Sequence, residues 1–128
     1  MAKGGGMFKK LILINTKLTE HYKTLEKAEQ KKLEKKYKSW VSEQPSGISG
    51  SVITGIPHHV RVSNNAGTSK KPSDIYMFPV TFDEHDFWHR FGNEEIEKHY
   101  GFDIAERFIL LHDKFCEDYV DNKNSKSL

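Results

Sequence analysis

The chain has 128 residues, with 20 Lys+Arg against 18 Asp+Glu and a net charge of +2, and 36 % of its residues are hydrophobic. That length fits one domain with a modest core helped by aromatics. Its single cysteine, Cys116, excludes an internal disulfide and a cysteine-only zinc site, and no apolar run approaches the ~20 residues of a membrane span. The run Leu11 to Ile14 is too short for a signal-peptide core, so a soluble cytoplasmic protein is the expectation. Charge is unevenly spread: residues 1–71 hold 14 Lys+Arg and 5 Asp+Glu, residues 72–128 hold 6 and 13. A basic half suits a polyanion, although a solvated Lys/Glu helix face gives the same composition.

In chain order, residues 1–15 read as a flexible arm (Gly4-Gly5-Gly6) ending in a short strand or extended segment over Met7 to Asn15. Residues 16–43 read as one long Lys-rich helix without Gly or Pro, capped by Thr16 or Thr19. Leu18, Tyr22, Leu25, Leu33, Tyr37, Trp40 and Val41 form its thin apolar stripe, and Lys27, Lys31, Lys32, Lys35 and Lys36 stay in water. Glu20–Lys23 and Glu34–Lys38 fall at spacings where side chains meet. After a turn at Gln44 to Gly50, the β-prone run Ser51 to Ile56 leads into Pro57-His58-His59-Val60. Arg61 to Asp74 is polar and too long for a hairpin turn, which suits a functional loop. Ile75 to Val80 is a second strand, with Pro79 expected to end it. Thr81 with Asp83-Glu84 starts a helix that stops at Gly92; Asn93 caps another over Glu94 to Tyr100. Asp103 starts a third, from Ile104 to about Val120, with Phe108, Leu111, Phe115 and Tyr119 on one stripe. Residues 121–128 read as a disordered tail.

Four of the seven histidines fall between Pro57 and His89. His85 and His89 lie at i,i+4, on one helix face, where two imidazoles can bind one metal. A third ligand from the strand end would leave positions open for water and a phosphate oxygen. The remaining histidine could take a proton from water, since imidazole titrates near neutrality. Four ordinary histidines remain the competing reading. His21, His99 and His112 read as surface or packing residues, Trp88, Tyr37, Trp40 and Tyr76 as packing aromatics, and Cys116 as a small buried apolar residue.

Several pieces together resemble a His-Asn-His (ββα-metal) nuclease, and more narrowly the phage and prophage recombination-enhancement type. They are Trp40-Val41 to Gln44-Pro45, Pro57-His58-His59, Gly67-Thr68-Ser69-Lys70-Lys71-Pro72-Ser73-Asp74, Phe78-Pro79-Val80, His85 to His89 with Gly92, and Ile96 to Phe102. The resemblance covers roughly residues 40–105 and leaves the N-terminal helix outside. It implies an α+β fold with a ββα-metal core over 44–120, flanked by the N-terminal helix and by C-terminal helices. It implies His59 as the general base, and His58, His85 and His89 as ligands of one divalent ion (Mg, Mn, Ni or Zn). Asp74, 15 residues after His59, would hold the loop so that the base faces the phosphate. Lys70, Lys71 and Arg90 are candidate phosphate contacts by charge and position. Proteins of this type often carry a further structural zinc on cysteines; Ser46, Ser49 and Thr81 stand at about those places here, so no structural zinc is expected.

The expected function is metal-dependent hydrolysis of DNA phosphodiesters in phage or mobile-element recombination, in a bacterial cytoplasm, with DNA as partner and a recombinase as an optional one. The alternative is a catalytically inactive DNA-binding or recombination accessory protein of the same fold. A metal-binding regulator of another protein is a third reading, supported only by the acidic C-terminal half.

Overall fold

The computed structural model describes residues 11–52, 55–62 and 73–121. Lys70, Lys71, the expected tail after Asp121 and most of the expected N-terminal arm lie outside the described residues. Helices α1 (Lys17–Lys23) and α2 (Lys27–Val41) come first, followed by strand β1 (Ile56–His59), a 3-10 turn (Asp74–Tyr76) and strand β2 (Met77–Val80). Helices α3 (Phe82–Tyr100) and α4 (Ile104–Phe115) close the chain with a π-helical turn, Cys116–Asp121. The described residues thus form a mixed α+β fold with four α-helices and one small antiparallel sheet. No described helix is long and apolar enough to cross a membrane.

The long helix expected over 16–43 is broken at Thr24 to Glu26. Thr16 caps α1 through a reciprocal box with Thr19, and Gln30 Nε2 donates back to Tyr22 O at 2.9 Å across the break. Leu18 on α1 is fully buried beside α4, and Tyr37, Trp40 and Val41 on α2 are buried against the strands and against α4 at His112 and Phe115. Glu34, expected to pair with Lys38, instead accepts hydrogen bonds from Tyr22 Oη and from Ser73 Oγ, the latter at 2.6 Å.

The strand pair begins later than expected, at Ile56, and Pro79 does not end it. The register is Ile56↔Val80, Pro57↔Pro79, His58↔Phe78 and His59↔Met77. Val60 N donates to Tyr76 O at 3.0 Å, one step further along. Hydrogen-bonded pairs alternate with non-bonded ones, so the two prolines face each other where no ladder N–H is needed. Side chains alternate in direction as well: His58 and His59 leave opposite faces of β1.

The segment Pro45 to Ser51 packs against β2. Gly47 N donates to Pro79 O at 2.9 Å, and Arg107 Nη1 from α4 donates to Gly47 O and Ile48 O. A Cβ on Gly47 would stand 2.5 Å from Phe78 Cε1, so only glycine allows this approach. The core is continuous from Ile12, Ile14 and Leu18 through Tyr37, Trp40 and Phe78 to Ile104, Phe108 and Phe115. Tyr119, expected on the apolar stripe of α4, lies at the surface, because the helix changes to π geometry after Phe115. That change brings Asp118 Oδ2 to Trp40 Nε1 at 3.3 Å.

His112 is a packing residue, fully buried on α4. Its Nε2 lies 2.8 Å from Ile75 O and its Nδ1 2.8 Å from Thr16 Oγ1. A carbonyl only accepts, so Nε2 carries the proton and Nδ1 accepts from the Thr16 hydroxyl. Both ring nitrogens are satisfied in the neutral form. Burial pushes the pKa down to about 4, against a smaller upward pull from the Ile75 carbonyl. The unfolded chain takes up a proton near pH 6.5 and the folded chain does not, so stability falls as pH drops from about 6.5 to about 4. The loss from this group approaches ~1.4 kcal/mol per pH unit. Urea unfolding at pH 7 and pH 4.5 should show a smaller pH-dependent loss in His112→Gln, which keeps a donor and an acceptor but does not titrate. An equal loss in both proteins would contradict this assignment.

Candidate metal centre

Helix α3 starts at Thr81, whose Oγ1 accepts from Glu84 N at 3.2 Å while Glu84 Oε1 accepts from Thr81 N at 2.8 Å. The same Glu84 oxygen accepts from Ser46 Oγ at 2.7 Å, and Ser46 Oγ accepts from the backbone N–H of Ile48 and Ser49, both at 3.0 Å. Ser46, Ser49 and Thr81, where the resemblance led us to expect no structural zinc, are thus joined through the Ser46 hydroxyl and one buried carboxylate. Its negative charge sits in the first turn of the helix, where the backbone dipole favours it. This hydrogen-bonded knot fixes the 44–51 segment to the start of α3. In the sequence Glu84 is only a first-turn acid; its burial has no local signature, because the partner lies 38 residues away.

From that anchored start, His85 and His89 project from one face of α3 toward β1. Their ring centroids are 4.5 Å apart, and His58 lies 5.2 Å from His85 and 5.0 Å from His89, edge-on to both. A ligating atom from each of the three lies within 4.8 Å of the others. His58 is buried with its ring over Trp88, at 4.5 Å between centroids. Trp88 is fixed in turn: its Nε1 donates to Asn93 Oδ1 at 2.7 Å, and Asn93 Nδ2 donates to Arg61 O at 3.1 Å. Asn93 can reach back because Gly92 breaks the helix with φ 89°, a conformation that glycine takes without strain.

The electrostatics suit a ligand set. Burial, then His85, His89 and His59, push the His58 pKa down to about 3. The pKa of His85 is also lowered, by burial and then by His89. Neutral imidazole is the form that binds a metal. His58 Nδ1 is buried with no hydrogen-bond partner among the described residues. Leaving such an atom unsatisfied costs about 1–3 kcal/mol, a cost that a bound ion would offset. The donor set fits a divalent ion: three nitrogens, two of them one helical turn apart and the third from a rigid strand.

His59 leaves β1 on the other side and is partly exposed. Its Nε2 lies 2.8 Å from Asp74 Oδ1, so Asp74 touches the imidazole directly, a closer role than the loop-holding one expected from sequence. Ser73, next in chain, caps the 3-10 turn and donates to Glu34 Oε2. Burial and then Glu34 push the neighbouring Tyr22 up to about 12, so its hydroxyl stays a donor to Glu34. The tether from α2 to the residue beside Asp74 is not legible in the sequence. Arg90 is exposed and paired with Asp86 at 3.3 Å, one turn back along α3. His99 stacks on Phe87 at 4.4 Å, and His21 is half-buried on α1; neither joins the cluster. The chain matches no protein-family model, no curated protein and no solved structure.

Two outcomes check this arrangement. Glu84→Ala should lower stability by about 2–3 kcal/mol in urea unfolding, since it strands Ser46 and the Thr81 N–H. Glu84→Gln, which keeps the shared acceptor oxygen, should lose less than half as much; equal losses would rule out the knot. For the cluster, Zn²⁺ or Ni²⁺ should raise the wild-type melting temperature and bind one ion per chain by calorimetry. His58→Ala, His85→Ala and His89→Ala should each weaken that binding by about 10- to 100-fold, whereas His99→Ala should not.

Proposed function

We propose that the chain is a small metal-dependent endonuclease of the His-Asn-His type, with β1, β2 and the first half of α3 as its ββα-metal core, hydrolysing DNA phosphodiester bonds. The observation that carries this reading is the convergence of three imidazoles on strand and helix, next to a fourth histidine held by a carboxylate. Two different kinds of histidine side by side suit two different jobs.

His58, His85 and His89 would hold the ion. When bound, a divalent ion supplies positive charge beside the scissile phosphate, where negative charge builds on the departing oxygen. The remaining steps belong to the chain. With its Nε2–H donated to Asp74 Oδ1, His59 is the tautomer whose Nδ1 is free to accept a proton. A water placed against Nδ1 loses its proton to the ring as its oxygen bonds to phosphorus, and the bond to the 3′ oxygen breaks. The Asp74 carboxylate stabilises the imidazolium that forms and keeps the ring from turning. The ordered 3-10 turn, capped by Ser73, holds Asp74 in place without help from the substrate. The setting that goes with this reading is phage or mobile-element DNA processing in a bacterial cytoplasm.

Purified protein should nick supercoiled plasmid, or cut single-stranded circles, in at least one of Mg²⁺, Mn²⁺, Ni²⁺ or Zn²⁺. His59→Ala should cut about 10²- to 10⁴-fold more slowly while still binding the ion. Asp74→Ala should fall between the two. Unchanged cleavage in His59→Ala would sink the mechanism. Salt-sensitive DNA binding without nicking in any metal would favour the inactive DNA-binding alternative.

A further inference from the structure

Helix α2 presents Lys27, Lys31, Glu34 and Lys38 at i, i+4, i+7 and i+11, one stripe along a single face. The three lysines are exposed, and Lys35 lies at the outer edge of the same face. An acid in the middle of such a stripe ordinarily pairs with the lysines one turn before and after it. Here it does not. The Glu34 carboxylate is taken up by Tyr22 Oη and Ser73 Oγ. Among the described residues, Lys27, Lys31, Lys35 and Lys38 make no ion pair.

The other flank of the helix differs. Lys32 lies 3.9 Å from Glu29, and Lys36 sits 5.7 Å above the Tyr119 ring. The helix therefore divides its lysines: those toward the C-terminal segment have partners, and those beside Glu34 have none among the described residues. Glu34 also marks where α2 touches Ser73, the residue before Asp74. Lys31 and Lys38 lie one turn before and after Glu34 on α2, and Glu34 in turn holds the residue next to Asp74.

We propose that Lys27, Lys31 and Lys38 form a phosphate track that leads a nucleic-acid strand to His59. The proposal rests on the nuclease reading and adds the route of its substrate. From Lys27 to Lys38 the helix rises about 16 Å, the axial span of about five phosphates on one duplex strand. The ligand chemistry is the phosphodiester backbone, contacted without regard to base sequence.

Binding is read by fluorescence anisotropy in EDTA, with a labelled 20-nucleotide single strand and the matching duplex, across a salt series. The triple variant Lys27→Gln/Lys31→Gln/Lys38→Gln should bind at least tenfold more weakly. The slope of log affinity against log salt should fall by about 2–3, at about 0.7–0.9 for each phosphate no longer neutralised. A charge-matched control, Lys32→Gln/Lys36→Gln/Lys114→Gln, should keep most of the wild-type affinity and slope, with melting temperatures of both triples checking the fold. Which of the two probes loses more affinity tells whether the track serves single strands or duplex. Equal weakening by both triples would overturn the proposal, as would no weakening by the first. So would wild-type binding to anionic phosphatidylglycerol vesicles, abolished in the first triple, with no affinity for either oligonucleotide. Because EDTA removes turnover, the nuclease reading fails separately, on an absence of cleavage by wild type in every metal.

Discussion

His58 is a polar ring pressed out of water against Trp88, with Nδ1 unsatisfied among the described residues. That is a cost of about 1–3 kcal/mol, which the rest of the fold must offset. The surrounding devices are what keep the ring there. The β1–β2 register directs His58 to the α3 side and His59 to the other. The kink at Gly92 lets Asn93 clamp the Trp88 indole. The Glu84 knot fixes where α3 begins, and so where His85 and His89 arrive. Remove any of these and His58 gains room to turn toward solvent.

The knot shows how a small fold can manage with hydrogen bonds alone. Ser46, Thr81 and two backbone N–H groups share the buried Glu84 carboxylate and the Ser46 hydroxyl, all within 3.2 Å. Charge-assisted bonds of this kind, shielded from water and set at a helix N-terminus, are the stronger class of hydrogen bond. On α2, Glu34 plays a related part for Ser73 and, through the chain, for Asp74. In both cases an acid that looks like a solvated surface charge in the sequence is a tie between distant segments.

Periodicity and cap chemistry foretold what is local. The Thr81 start, the Gly92 interruption, the order of two strands followed by a helix and the exposed lysines of α2 follow from residue type and spacing. So does the i,i+4 placement of His85 and His89. The failures are all tertiary. The break at Thr24 to Glu26 has no Gly or Pro to announce it, and the Gln30 side chain spans it to Tyr22 O. Pro79 stays in its strand because its partner is another proline, which only the register reveals. His112 is held by Thr16 and Ile75, 96 and 37 residues away. The direct His59–Asp74 contact likewise spans 15 residues, most of them outside the described residues.

The site's central claim is that His58, His85 and His89 are ligands of one ion, and anomalous diffraction tests it most directly. Crystals grown with Zn²⁺ or Mn²⁺ should show one strong anomalous peak about 2.0–2.2 Å from a nitrogen of each of the three histidines. His59 should stay on Asp74 and off the ion. No peak at this position, with His58 turned to a water or to another protein group, would contradict the claim.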